Sequence, residues 1–74
     1  MLDIKDFGNR LAALRKNANL TQNDIARAVG VTIQAVSKWE NGRNFPDLAY
    51  LDDLASVLGV EIKELFFEMG EKIG

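Results

Sequence analysis

Between Thr21 and Arg43 the chain places the amides of Gln22, Gln34 and Asn41, the hydroxyls of Thr32 and Ser37, and the cations Lys38 and Arg43. Groups of these types are able to hydrogen-bond to base edges and phosphates. Gln34 is the sharpest of them, because its amide carries a donor and an acceptor side by side and so matches the N6/N7 edge of adenine. Lys38, one helical turn further on, reaches either a guanine or a phosphate. Catalysis is a poor fit. The chain has no His and no Cys, so the commonest general base, nucleophile and metal ligands are absent. The adjacent Asp52 and Asp53 would point in different directions from one helix. No Gly-rich phosphate loop occurs, and the expectation is a non-enzyme with neither metal nor cofactor.

Local start and stop signals position these side chains on two short helices. Thr21 followed three residues later by Asp24 resembles a capping box, and Leu20 with Ile25 forms the flanking hydrophobic staple, so a helix should begin at Thr21. Ile25, Ala26 and Val29 fall on one of its faces, and Gly30 ends it in the left-handed conformation. Thr32 caps a second helix at once, stapled by Val31 and Val36, with Val36 and Trp39 as its buried stripe and Asn41-Gly42 as its end. Ala26 is small enough to let two helices cross at roughly 90–120° after such a tight turn.

This segment resembles the helix-turn-helix of the phage-repressor and Cro-like regulators, the XRE family. Gln22, Ala26, Gly30, Val36, Trp39 and the run Glu40-Asn41-Gly42 all stand where that family's pattern places them. The likeness extends over residues 4 to 67. Ile4, Phe7, Leu11 and Leu14 recur at the spacing of a first helix; Asp47 is a good N-cap for a fourth, with the stripe Leu48, Leu51, Leu54, Ala55 and Leu58; Gly59 ends it; and Val60 with Leu65 staples a fifth, starting at Glu61. The expected fold is therefore all-α, a compact bundle of five short helices containing a helix-turn-helix, in one lambda-repressor-like domain over residues 1–74 with a fraying tail at 70–74.

The resemblance also implies roles. The third helix would lie in the major groove and read base edges with Thr32, Ile33, Gln34, Ser37 and Lys38, Ile33 by contact with a thymine methyl or simply by packing. Gln22, at a helix N-terminus where free N–H groups favour an anion, would grip the sugar-phosphate backbone, and Asn41 and Arg43 would do so from the other side. Each also has a structural reading; for Asn41 it is a helix C-cap. Arg15 would pair with Glu40 and fix the recognition helix on the scaffold.

Charge first argues against this reading, because the formal net charge of the 74 residues is −2. Its distribution argues back. From Arg10 to Arg43 there are six basic and two acidic residues, whereas from Asp47 onward there are seven acidic and two basic. One face can therefore meet phosphate while the other is turned away. The absence of Cys suits a reducing, cytoplasmic setting, and no apolar run approaches a membrane span. The expected partner is double-stranded DNA with a two-fold symmetric operator, bound by a homodimer that regulates transcription, as a repressor. The rival is a helical protein-interaction module, or an antitoxin-like regulator whose main partner is a protein. Phe66, Phe67, Met69 and Ile73 carry that reading, since they supply apolar surface that must close the core, form a dimer or bind a partner.

Overall fold

The chain's cap residues set its helix boundaries. The computed structural model describes residues 3–67, which form α1 (Ile4–Asn17), α2 (Gln22–Val29), α3 (Ile33–Glu40) and α4 (Leu48–Leu58), followed by a single 3₁₀ turn, Ile62–Leu65. The Asp3 carboxylate starts α1 by accepting from the Lys5 N–H at 2.9 Å. At α2 the capping box is closed: the Thr21 hydroxyl accepts from the Asp24 N–H at 3.0 Å, and the Asp24 carboxylate accepts from the Thr21 N–H at 2.8 Å. The hydrogen bond from the Thr21 backbone, and then the one with its side chain, hold the Asp24 carboxyl below the usual carboxylate range. This cap therefore contributes at neutral pH, and its contribution is lost as the pH falls through the lowered value. Gly30 takes φ 85°, which a side chain would strain, and this allows the chain to leave α2 and start α3 only three residues later.

The core is a mixed set drawn from every element. Phe7, Leu11, Ile25, Val36, Leu54 and Leu65 are the largest fully buried side chains, and Trp39 is buried beside them with its ring centroid 5.9 Å from that of Tyr50. Ala26 is buried as expected of a close helix crossing. A second close approach was not anticipated. A Cβ on Gly8 would stand 2.5 Å from the Glu40 carbonyl oxygen and 2.6 Å from that of Trp39, so α1 meets the backbone of α3 with only a hydrogen between them. Gly8→Ala must therefore push α3 away from α1. Because the obstacle is backbone, the expected loss is about 1–3 kcal/mol or more, measurable as a lowered urea midpoint. An unchanged midpoint would show that α1 and α3 can separate freely.

Three expectations are corrected. Among the described residues there are four α-helices and not five. The segment expected to be the fifth is one 3₁₀ turn, where the Glu64 carboxylate accepts from the Glu61 N–H at 2.8 Å. Leu65 must reach full burial within that single turn, which ties the segment down before an α-helical ladder can build. Leu48 belongs to no core stripe. It is 84% exposed, because it is the first residue of α4 and projects past the edge of the layer that the helix covers. Asp47 occupies the N-cap position of α4, yet its side chain makes no capping hydrogen bond.

Candidate nucleic-acid interface

α3 is divided lengthwise. Val36, Trp39 and Glu40 are buried, whereas Ile33, Gln34 and Lys38 are exposed and Ser37 is half-buried. At 100° per residue, positions 33, 34, 37, 38 and 41 share one stripe, so the side chains expected to read bases do come together on the outward face. Thr32 opens that stripe and caps α3, its hydroxyl accepting from the Ala35 N–H at 3.1 Å. Ile33 is 44% exposed, an apolar group standing free at the start of the helix. Arg43 is exposed just past the helix end, where its N–H donates to the Lys38 carbonyl at 2.9 Å.

An ion pair holds α3 from behind. Arg15 Nε donates to Glu40 Oε2 at 2.7 Å and Nη2 donates to Oε1 at 3.1 Å, a two-pronged pair whose side chains are only 12% and 6% exposed. The third prong, Arg15 Nη1, donates to the Leu20 carbonyl at 2.9 Å. Hydrogen bonding to Glu40 raises the Arg15 pKa, burial opposes it and the Glu40 charge adds to the rise, so the guanidinium stays charged. This one cluster joins α1, the turn before α2 and the last residue of α3, and it sets the angle at which the exposed stripe is presented.

Two of the residues expected at phosphates are engaged inside the protein. Gln22, half-buried, donates from Nε2 to Glu40 Oε1 at 2.9 Å and so belongs to the same cluster. Asn41 donates from Nδ2 to the Ser37 carbonyl at 2.9 Å and to Ser37 Oγ at 3.1 Å. The second agrees with the C-cap reading of Asn41, which stands at the C-cap of α3, whereas the first was not foreseen. The spacing of four residues between Ser37 and Asn41 was a readable signal for the second, since such pairs face each other on a helix. The first needs the fold, because eighteen residues separate Gln22 from Glu40.

The apolar tail divides as well. Phe66 is half-buried against the core, its ring centroid 5.2 Å from that of Phe7, and so closes the core instead of offering a partner surface. Phe67 is 61% exposed. Met69 and Ile73 lie outside the described residues. Among the described residues no helix is long and apolar enough to cross a membrane, and no group of His, Cys, Asp and Glu is gathered to hold a metal ion.

Comparison with known proteins gives the family. The model of the helix-turn-helix family matches residues 11–65, three quarters of the chain. The chain belongs to the XRE family of helix-turn-helix transcriptional regulators. Its relatives include the HTH-type transcriptional activator BcrR of Enterococcus faecalis, 37% identical over 81% of this chain and 29% of that protein. The HTH-type transcriptional repressor RghR of Bacillus subtilis is 35% identical over 90% of this chain and 50% of its own length. Among solved structures, the restriction-modification controller protein C.AhdI from Aeromonas hydrophila superposes with a TM-score of 0.82 at 34% identity, covering 86% of this chain and 97% of that one. The chain thus spans half or less of the two regulators and nearly the whole controller protein. Both of these sequence relatives are named as regulators of transcription.

Proposed function

We propose that this family member binds double-stranded DNA sequence-specifically, as a homodimer on a two-fold symmetric operator, and represses transcription from the cytoplasm of its cell. The observation that carries the reading is the exposed stripe of α3. Ile33, Gln34, Ser37 and Lys38 offer a methyl-binding group, a bidentate amide, a hydroxyl and a cation on one face, on a helix whose other face is locked by Trp39 and the Arg15–Glu40 pair. A helix of this kind fits the major groove, with Gln34 reading adenine and Thr32 and Ile33 at its leading end. Lys38 and Arg43 supply charge for phosphates alongside it. Gln22 sits in the first turn of α2, where its backbone N–H and remaining amide hydrogen favour a phosphate while its other hydrogen holds Glu40. Repression needs only occupancy of the site, whereas activation also needs a contact with the transcription machinery, so repression is the simpler action of such a face. Dimerisation suits the exposed ring of Phe67, at the end of the described chain and open to a second copy.

Titration of the intact chain with duplex DNA across a range of salt concentrations tests the reading. The expected log–log slope is about −0.9 for each phosphate neutralised by Lys or Arg, giving about −2 to −5 for a dimer. A folded chain that binds no duplex even at low salt would favour the rival reading, a module whose partner is a protein.

A further inference from the structure

Ser37 lies in the middle of the α3 stripe, and its hydroxyl can either donate or accept a hydrogen bond. Which it does decides which base atoms it can meet. Asn41 engages one of the two lone pairs on that oxygen. Its Nδ2 lies 2.9 Å from the Ser37 carbonyl oxygen and 3.1 Å from Ser37 Oγ. The amide cannot be turned over, because its own carbonyl oxygen would then face the Ser37 carbonyl oxygen at the same short distance with no hydrogen between them. Nitrogen therefore faces Ser37, with two acceptors of that residue in reach. Ser37 Oγ receives one of them, and among the described residues the hydroxyl hydrogen itself has no acceptor.

We propose that Asn41 is a positioning residue that occupies one lone pair of the Ser37 hydroxyl and leaves its hydrogen to donate, so that Ser37 favours an acceptor on the major-groove edge: purine N7, guanine O6 or thymine O4. The proposal rests on the DNA-binding reading above and deepens it. It also changes the role expected of Asn41. Both recorded contacts of its Nδ2 are to Ser37, and the group left over is its oxygen, an acceptor that repels phosphate. The amino groups of cytosine N4 and adenine N6 are disfavoured as partners for Ser37, because they would share the oxygen's lone pairs with Asn41.

The test is a competition assay of the intact protein against operator variants that differ at single base pairs, applied to the wild type, Ser37→Ala, Asn41→Ala, the double variant and Ser37→Thr, with circular dichroism showing that each is folded. Ser37→Ala should relax preference at one position per half-site by about two- to tenfold, the scale of one hydrogen bond. Asn41→Ala should relax the same position, the double variant should add nothing to either, and Ser37→Thr, which keeps the hydroxyl, should retain the preference. Uniform weakening of all sites by Asn41→Ala with a shallower salt dependence would make Asn41 a phosphate contact and overturn the proposal. Unaltered preference in Ser37→Ala would overturn it equally. A wild type with no preferred sequence would instead remove the DNA-reading function itself, a distinguishable result.

Discussion

Glu40→Ala is expected to cost about 3–5 kcal/mol of folding stability, because it leaves the Arg15 guanidinium, 12% exposed, without its carboxylate. Domains of this kind have only about 5–15 kcal/mol to lose. The fall in Tm should be roughly 12–40 °C, given about 4–8 °C per kcal/mol for a domain of this size. Arg15→Ala should act similarly, since it strands a carboxylate that is 6% exposed and retains only the Gln22 amide. Thermal melts of both variants check this, and a double-mutant cycle should return a coupling of about 0.5–3 kcal/mol. The pair's net contribution is smaller than either loss, because desolvation offsets much of the attraction. Its role is geometric: it closes α1, the α2 entry and the end of α3 into one unit. Intrinsic DNA contacts should change less than stability does. An Arg15→Ala protein with an unchanged Tm that had lost salt-sensitive binding would make Arg15 a phosphate ligand instead.

Gln34→Ala should have the largest effect on specificity. Gln34 is exposed on the first turn of α3, with the buried Val36 and Trp39 fixing the helix beneath it. A bidentate amide–adenine contact discriminates by about 1–3 kcal/mol, so its loss should relax preference at one position of each half-site by roughly five- to 150-fold. Arg43→Ala, which removes charge without removing a base contact, should weaken every sequence nearly alike and make the salt slope shallower by about one for each subunit bound. Equilibrium competition between single-base variants separates the two outcomes. If Gln34→Ala kept the base preference while Arg43→Ala shifted it, the reader and the positioner would have been assigned in reverse.

What the sequence revealed was chiefly local. The Thr21–Asp24 box, the left-handed Gly30 and the Thr32 cap each depend on neighbours within four residues, and each stands where the residue types indicate. The Arg15–Glu40 pair is 25 residues apart and was legible only through the family pattern. Leu48 misled because helical periodicity marks a face without marking where the core beneath it ends. The 3₁₀ turn misled because the Val60–Leu65 staple is a spacing that one turn satisfies as well as two. Gly8 gave no signal, since a glycine in a helix is indistinguishable in sequence from a tolerated defect; only the carbonyls of Trp39 and Glu40 reveal why a Cβ is excluded. The side-chain links from Gln22 to Glu40 and from Asn41 to Ser37 show a further limit. Residues chosen as ligands for DNA were polar enough for that role, and the same polarity lets them serve the scaffold.

Selection of binding sites from random duplex DNA by the intact chain tests the central claim most directly. The account predicts an enriched motif with two inverted half-sites, their centres about one helical turn or a whole multiple of it apart, each containing a preferred adenine that disappears when the selection is repeated with Gln34→Ala. A folded protein that returns no sequence enriched over the starting pool would contradict it.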